Sequence, residues 1–229
     1  MELTDDNFAT IVKAVREGRT IYENIVKFVR FQLSTNIGAI LTVLIAPFLG
    51  LPLPFTPVQL LWVNIIMDGP PAMALGIDPP QPDIMSKTPR KATDRILTMR
   101  CFGKLTVYGT TMMVGTLGVF WWGLQNGSHT HAQTMAFTTF VLFQVFNAFN
   151  ARVEKGSTFN TNFFHNRFLW LALTGTVVLQ VLAVQWAPAQ GIFDVGKLGF
   201  TDWMLATLIA SSVLVFEEIR KLILRIFQH

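Results

Sequence analysis

Apolar and polar positions alternate along this chain in long blocks, not in a short period. Runs rich in Leu, Ile, Val, Phe and Ala fall at about 31–49, 58–77, 105–124, 132–151, 168–187 and 203–219. Each is close to the ~20 residues a helix needs to cross a bilayer. The pattern predicts an all-α fold, a polytopic membrane bundle of six transmembrane helices. Ahead of the first run, Phe8, Ile11, Val12 and Val15 recur at helical spacing among Lys13, Arg16 and Arg19. Residues 1–30 are therefore expected to form a cytoplasmic stalk helix that leads directly into residues 31–229, the membrane domain.

The second run differs from the others. It reads Leu60-Leu61-Trp62-Val63-Asn64-Ile65-Ile66-Met67-Asp68-Gly69-Pro70-Pro71-Ala72-Met73-Ala74-Leu75-Gly76, with a carboxylate at its middle. A charge at membrane depth is costly and marks an ion or proton path unless a neighbour pairs it. Asn64 and Asp68 are four residues apart, which on an α-helix puts their oxygens on one face. Pro70 and Pro71 have no N–H to offer the carbonyls of Ile66 and Met67. Broken backbone at that depth is tolerated where it is buried in protein or lines a cavity. A carboxylate, an amide oxygen and free carbonyls together suit a hard cation such as calcium. The alternative is a proline-kinked structural helix whose Asp68 is simply paired.

Composition supports a membrane protein and excludes several other classes. Half the residues are apolar (51%) and only 14% are charged. The net charge of +4 does not point to nucleic acid, because the basic residues flank the apolar runs. They gather before the first run (Lys13, Arg16, Arg19, Lys27, Arg30) and between the second and third (Lys87, Arg90, Lys91, Arg95, Arg100, Lys104). More lie between the fourth and fifth (Arg152, Lys155, Arg167) and after the sixth (Arg220, Lys221, Arg225), while the opposite loops hold Lys197 alone. By the positive-inside rule both termini are cytoplasmic. The single Cys101 excludes an internal disulfide. No signal peptide is visible in the acidic, polar start, and loop residues His129 and His131 read as solvated.

The fourth run carries Gln144, Asn147 and Asn150 at a spacing of three, hence on one face. Interhelical hydrogen bonding accounts for such amides equally well. Gln144 sits deepest and is the better candidate to line an ion cavity; Asn36 in the first run is open to either role. The chain has no Gly-rich phosphate loop and no Ser/His/Asp arrangement, so it is not expected to hydrolyse ATP alone.

Several stretches resemble one family, the calcium-transporting P-type ATPases of type II. Met1-Glu2-Leu3-Thr4-Asp5-Asp6-Asn7-Phe8 and Glu17-Gly18-Arg19-Thr20-Ile21-Tyr22-Glu23-Asn24 resemble the stalk entering their fifth transmembrane helix. Pro57 to Asn64, Asp68-Gly69 and Ala72 to Gly76 resemble the sixth, and Phe146-Asn147-Ala148-Phe149-Asn150-Ala151-Arg152 the end of the eighth. The resemblance implies helices five to ten of such a pump, with phosphorylation and nucleotide domains and four further helices outside this chain. ATP and magnesium would act only in those domains, and the partners here are the lipid membrane and the missing parts.

Carried over by the resemblance, Asn64 and Asp68 match two metal ligands and Asn36 a third position, with Gln144 standing where the reticulum-type pump has a glutamate. Ala39 replaces a carboxylate of that type and Met67 a threonine. The plasma-membrane type also lacks carboxylates at Ala39 and Gln144, so the resemblance implies a one-ion pump. The expected function is the membrane portion of an ATP-driven cation pump, with calcium as cargo. The alternatives are manganese, sodium or protons as the ion, and a passive channel or non-enzymatic subunit as the class. The short loops and lack of a targeting segment suggest a bacterial plasma membrane.

Overall fold

A computed structural model describes residues 8–81, 83–86, 88, 96–153 and 163–226. The expected Met1–Asn7 motif lies outside these, as do Lys87, Arg90, Lys91, Arg95 and Lys155. Among the described residues the regular structure is entirely helical, as the block pattern predicts. The first helix, α1, runs without a break over Phe8–Phe48, through both the stalk and the first apolar run. The second run is divided into α2 (Pro57–Trp62), a π turn (Val63–Met67) and α3 (Gly69–Gly76). Then come α4 (Met99–Asn126), α5 (His129–Arg152), α6 (Arg167–Gln185), α7 (Ala187–Phe193) and α8 (Phe200–Ile226).

Local chemistry sets the boundaries. Thr56 and Gln59 form a reciprocal capping box at the start of α2, with Pro57 in the first helical position where its missing N–H costs nothing. Thr98, Ser128 and Asn166 cap α4, α5 and α6 by accepting from Cys101 N, His131 N and Leu169 N. His129 and His131 therefore stand in the first turn of α5 and not in a loop. Gly50 ends the turn after α1 at φ 70°, a conformation that favours glycine.

α5 is the centre of the bundle. Every residue from Ala132 to Gln144 is buried, and Phe137, Phe140 and Phe143 are fully enclosed. It packs against α4, α8, α1 and α6. Enclosure on all sides explains why its sequence tolerates Thr134, Thr138, Thr139 and Gln144, which a lipid-facing helix would exclude. α1, α6 and α8 instead expose apolar strips: Ile40, Leu44 and Phe48; Leu171, Val178 and Leu182; Leu208 and Val215. Among the described residues, three helices are long and apolar enough to cross a membrane, at Phe8–Phe48, Arg167–Gln185 and Phe200–Ile223.

Glycines set the closest approaches of α4. A Cβ on Gly109 would lie 2.6 Å from Ile37 Cγ2 and 2.9 Å from the Gly38 backbone nitrogen; one on Gly123 would lie 2.9 Å from Ala132 Cα. The α1–α4 crossing thus falls one residue past Asn36.

Candidate functional site

The break in the second apolar run places one carboxylate. Asp68 N–H donates to Val63 O at 3.0 Å, the wide bond of the π turn, and α3 then restarts with Ala72 N donating to Asp68 O at 3.1 Å. Pro70 and Pro71 occupy the first turn of α3, where prolines are tolerated. The sequence signal for a break was the proline pair; the π turn before it left no pattern of its own.

Asp68 is buried, with 1% of its surface exposed. Its Oδ2 accepts from Thr35 Oγ1 of α1 at 3.2 Å. Among the described residues its Oδ1 has no hydrogen-bond partner. The same Thr35 hydroxyl lies 3.2 Å from Phe31 O and 3.0 Å from Gln32 O, so its one proton is shared among acceptors. A buried carboxylate with less than one full donor is unstable as an anion unless a cation or a proton joins it. Thr35 was not singled out from sequence, since a threonine in an apolar run carries no distinguishing pattern.

The other expected site residues have different surroundings. Asn64 is exposed while Asp68 is buried, and the Asn64 Nδ2 turns back to Leu60 O at 2.8 Å. Asn36 is half-buried beside Thr35. Gln144 is buried, and among the described residues neither its Oε1 nor its Nε2 has a hydrogen-bond partner. Asn147 donates to Ser34 Oγ of α1 at 2.7 Å, and Asn150 to Val213 O of α8 at 3.0 Å. Both therefore act as interhelical ties, with one amide oxygen each left over. Met67 and Ala39 are buried apolar residues in the core between α1, α4 and α5. Among the described residues no group of three His, Cys, Asp or Glu side chains converges on a point. Among the described residues the side-chain group in hydrogen-bond contact with Asp68 is the Thr35 hydroxyl, a neutral oxygen of the type hard cations accept.

A second buried carboxylate, Asp78, follows the end of α3. Lys27 Nζ of α1 lies 2.6 Å from its Oδ2, and Arg152 Nε of α5 donates to Oδ1 at 3.0 Å and Oδ2 at 3.3 Å. Asn166 Nδ2 donates to Oδ1 at 2.8 Å and to Ala74 O at 2.9 Å, while Asn24 Nδ2 donates to Asp78 O at 2.7 Å. The charge pattern assigns Lys27 and Arg152 to membrane orientation; the fold turns both inward onto Asp78. A third buried carboxylate, Glu217 of α8, is held by Arg220 through two bonds of 2.7 Å and by Lys104 of α4 at 3.1 Å.

Asn166 connects these features to the start of α6. Its Oδ1 also accepts from Leu169 N at 2.9 Å. Asn166→Ala is expected to destabilise the protein by about 2–4 kcal/mol, summing the lost cap and the two under-served acceptors. A detergent-solubilised melting temperature equal to wild type would refute this.

Comparison with known proteins places this arrangement. The family described as "Cation transporting ATPase, C-terminus" matches residues 52–223. Human calcium-transporting ATPase type 2C member 1 is 40% identical over 222 residues, which are 96% of this chain and 24% of that protein. Calcium-transporting ATPase 1 of Saccharomyces cerevisiae is 41% identical over 224 residues, 97% of this chain and 24% of that protein. The chain therefore spans about a quarter of the length of these curated relatives. They are eukaryotic, and the expectation of a bacterial plasma membrane is not borne out by them.

Proposed function

The chain belongs to the cation-transporting ATPase family through that family's C-terminal region, and from this premise we propose that it is the membrane portion of an ATP-driven calcium pump, contributing half of the intramembrane ion site. The single observation that carries the reading is the buried Asp68 carboxylate with one shared hydroxyl on Oδ2 and nothing on Oδ1. That geometry has an open oxygen at membrane depth and is completed by a cation.

Six spans with both termini cytoplasmic fit the helix order, with α2, the π turn and α3 together forming the second span and residues 1–30 the stalk. Asp68 is the charged ligand. Asn64, Asn36 and Gln144 are the remaining donors in this reading, each offering a neutral oxygen. Asn64 is exposed in this chain, which suits a residue facing the further helices that the resemblance implies. ATP and magnesium belong to those further domains. Nothing in the chain favours a passive channel over a pump.

The test is ATP-driven uptake of calcium into sealed vesicles by the full-length gene product. Uptake that requires ATP and saturates with calcium supports the proposal. ATP hydrolysis that responds to manganese, sodium or protons and ignores calcium keeps the pump and changes the ion; no cation-activated hydrolysis rejects both.

Thr35 offers a finer check. Thr35→Val keeps the shape and removes the hydroxyl that serves Asp68. The calcium concentration for half-maximal ATP hydrolysis is expected to rise about tenfold, the cost typical of losing a group that orients a ligand. An unchanged half-activation point would remove Thr35 from the site.

A further inference from the structure

We infer that Asp78 is a positioning residue for the Asp68 site, fixing the height of α3 against α1 through a buried charged junction. This rests on the reading of Asp68 as an ion ligand, and it concerns a residue that touches no ion itself.

The short helix α3 is tied to α1 at both ends. At the ligand end, Thr35 Oγ1 meets Asp68 Oδ2 at 3.2 Å. At the other end, Lys27 Nζ meets Asp78 Oδ2 at 2.6 Å and Asn24 Nδ2 meets Asp78 O at 2.7 Å. Lys27 and Thr35 are separated by about 12 Å of α1, at the 1.5 Å rise of a helix. The eight residues of α3, Gly69–Gly76, cover the same axial distance in the opposite direction. The four attachment points therefore make a closed frame. A slip of α3 along α1 at the Asp78 end must appear at Asp68, because the helix between them is too short to bend it away.

The junction is also specific in direction. Asp78, Lys27 and Arg152 are 5%, 5% and 7% exposed, so water and salt do not weaken the pairing as they would at a surface. Replacing a buried ion pair by apolar residues of equal volume is often neutral for stability, so what the junction contributes is register, set by one carboxylate between two cations. Arg152 also donates to Phe163 O at 2.7 Å, and Asn166 to Ala74 O, so α5 and α6 hold the same end of α3. Displacement of the cytoplasmic half of α1 is thereby delivered to the carboxylate at the far end of α3.

The experiment uses the full-length gene product in membrane vesicles, with ATP hydrolysis followed across calcium–EGTA buffers. Asp78→Asn is expected to raise the calcium needed for half-maximal activation about tenfold, with the saturated rate per mole of inserted protein within about twofold of wild type. Asp78→Glu keeps the charge and alters only its reach, so it recovers part of that shift. Lys27→Gln keeps a donor to Asp78 and removes one cation; it shifts half-activation the same way by about threefold, and carries the test if Asp78→Asn is not inserted. A lower saturated rate or yield with unchanged half-activation in Asp78→Asn and Lys27→Gln would give the junction a stability role only and overturn the inference. Wild-type protein without calcium activation overturns the pump reading and this inference with it, and is recognised before any variant is made.

Discussion

Asp68→Asn is expected to abolish calcium-activated ATP turnover in the full-length protein while leaving the membrane bundle folded. Asparagine is nearly isosteric, so the packing around residue 68 is kept. The neutral amide removes an anion that lies 1% exposed with an unpartnered Oδ1. A folded state relieved of that burden is stabilised by about 1–3 kcal/mol. On the proposed reading, the ion loses its charged ligand. Outer-shell partners of a metal cost about 10–100-fold in affinity when removed, so the ligand itself is expected to cost more than about a hundredfold. The two effects have opposite signs, and that is the diagnostic. Melting temperature in calcium-free detergent should hold or rise as calcium activation disappears. Half-activation within twofold of wild type would show that Asp68 is not a ligand. Loss of both stability and activation would mark it as a structural residue.

Gly109→Leu is expected to be the most disruptive single substitution in the bundle for its size. Its Cβ alone would meet Ile37 Cγ2 at 2.6 Å and the Gly38 nitrogen at 2.9 Å, and one of these is backbone that no rotamer change can move. Two helices must separate to admit it. Overpacking typically costs about 1–3 kcal/mol, and a leucine against backbone belongs at the top of that range or above it. Because the clash falls beside Asn36, the damage extends to calcium activation as well as to the melt. Gly118→Ala on the same helix supplies the contrast, since a Cβ there meets nothing within 4 Å. That change is expected to alter stability by less than about 1 kcal/mol. Equal melting temperatures for the Gly109 variant and wild type would refute the close-packing account.

Long-range order was legible where it follows from hydrophobic length. The apolar runs at 105–124, 132–151 and 203–219 lie within α4, α5 and α8, and the run at 31–49 outlasts α1 by one residue. The starts of α4 and α5 are set by the N-caps Thr98 and Ser128, which begin a helix by hydrogen bonding and not by hydropathy. The run at 168–187 hides a division, because Pro188 starts a second short helix after Trp186. Pro70 and Pro71 mark the run at 58–77 as interrupted. No residue type marks the π turn at Val63–Met67.

The same division applies to the charges. A carboxylate at residue 68 in an apolar run is costly wherever the fold puts it, so its importance could be read before any contact was known. Lys27, Arg152 and Asp78 gave no such signal: each sits at the edge of a run, where charge is ordinary. Only the meeting of α1, α3, α5 and α6 turned them inward onto one another. Lys104 and Glu217 met across α4 and α8 in the same way.

Sequence alone determined that this chain is helical and apolar in long blocks, and that its central carboxylate lies beside a proline break. Those properties depend on residues close in the chain and on transfer between water and hydrocarbon. The tertiary structure decided which polar groups meet: Thr35 with Asp68, Asn147 with Ser34, and Asp78 with two cations from separate helices. These pairs join residues 33 to 113 positions apart. Their partners are chosen by how helices pack, a property that no local pattern encodes.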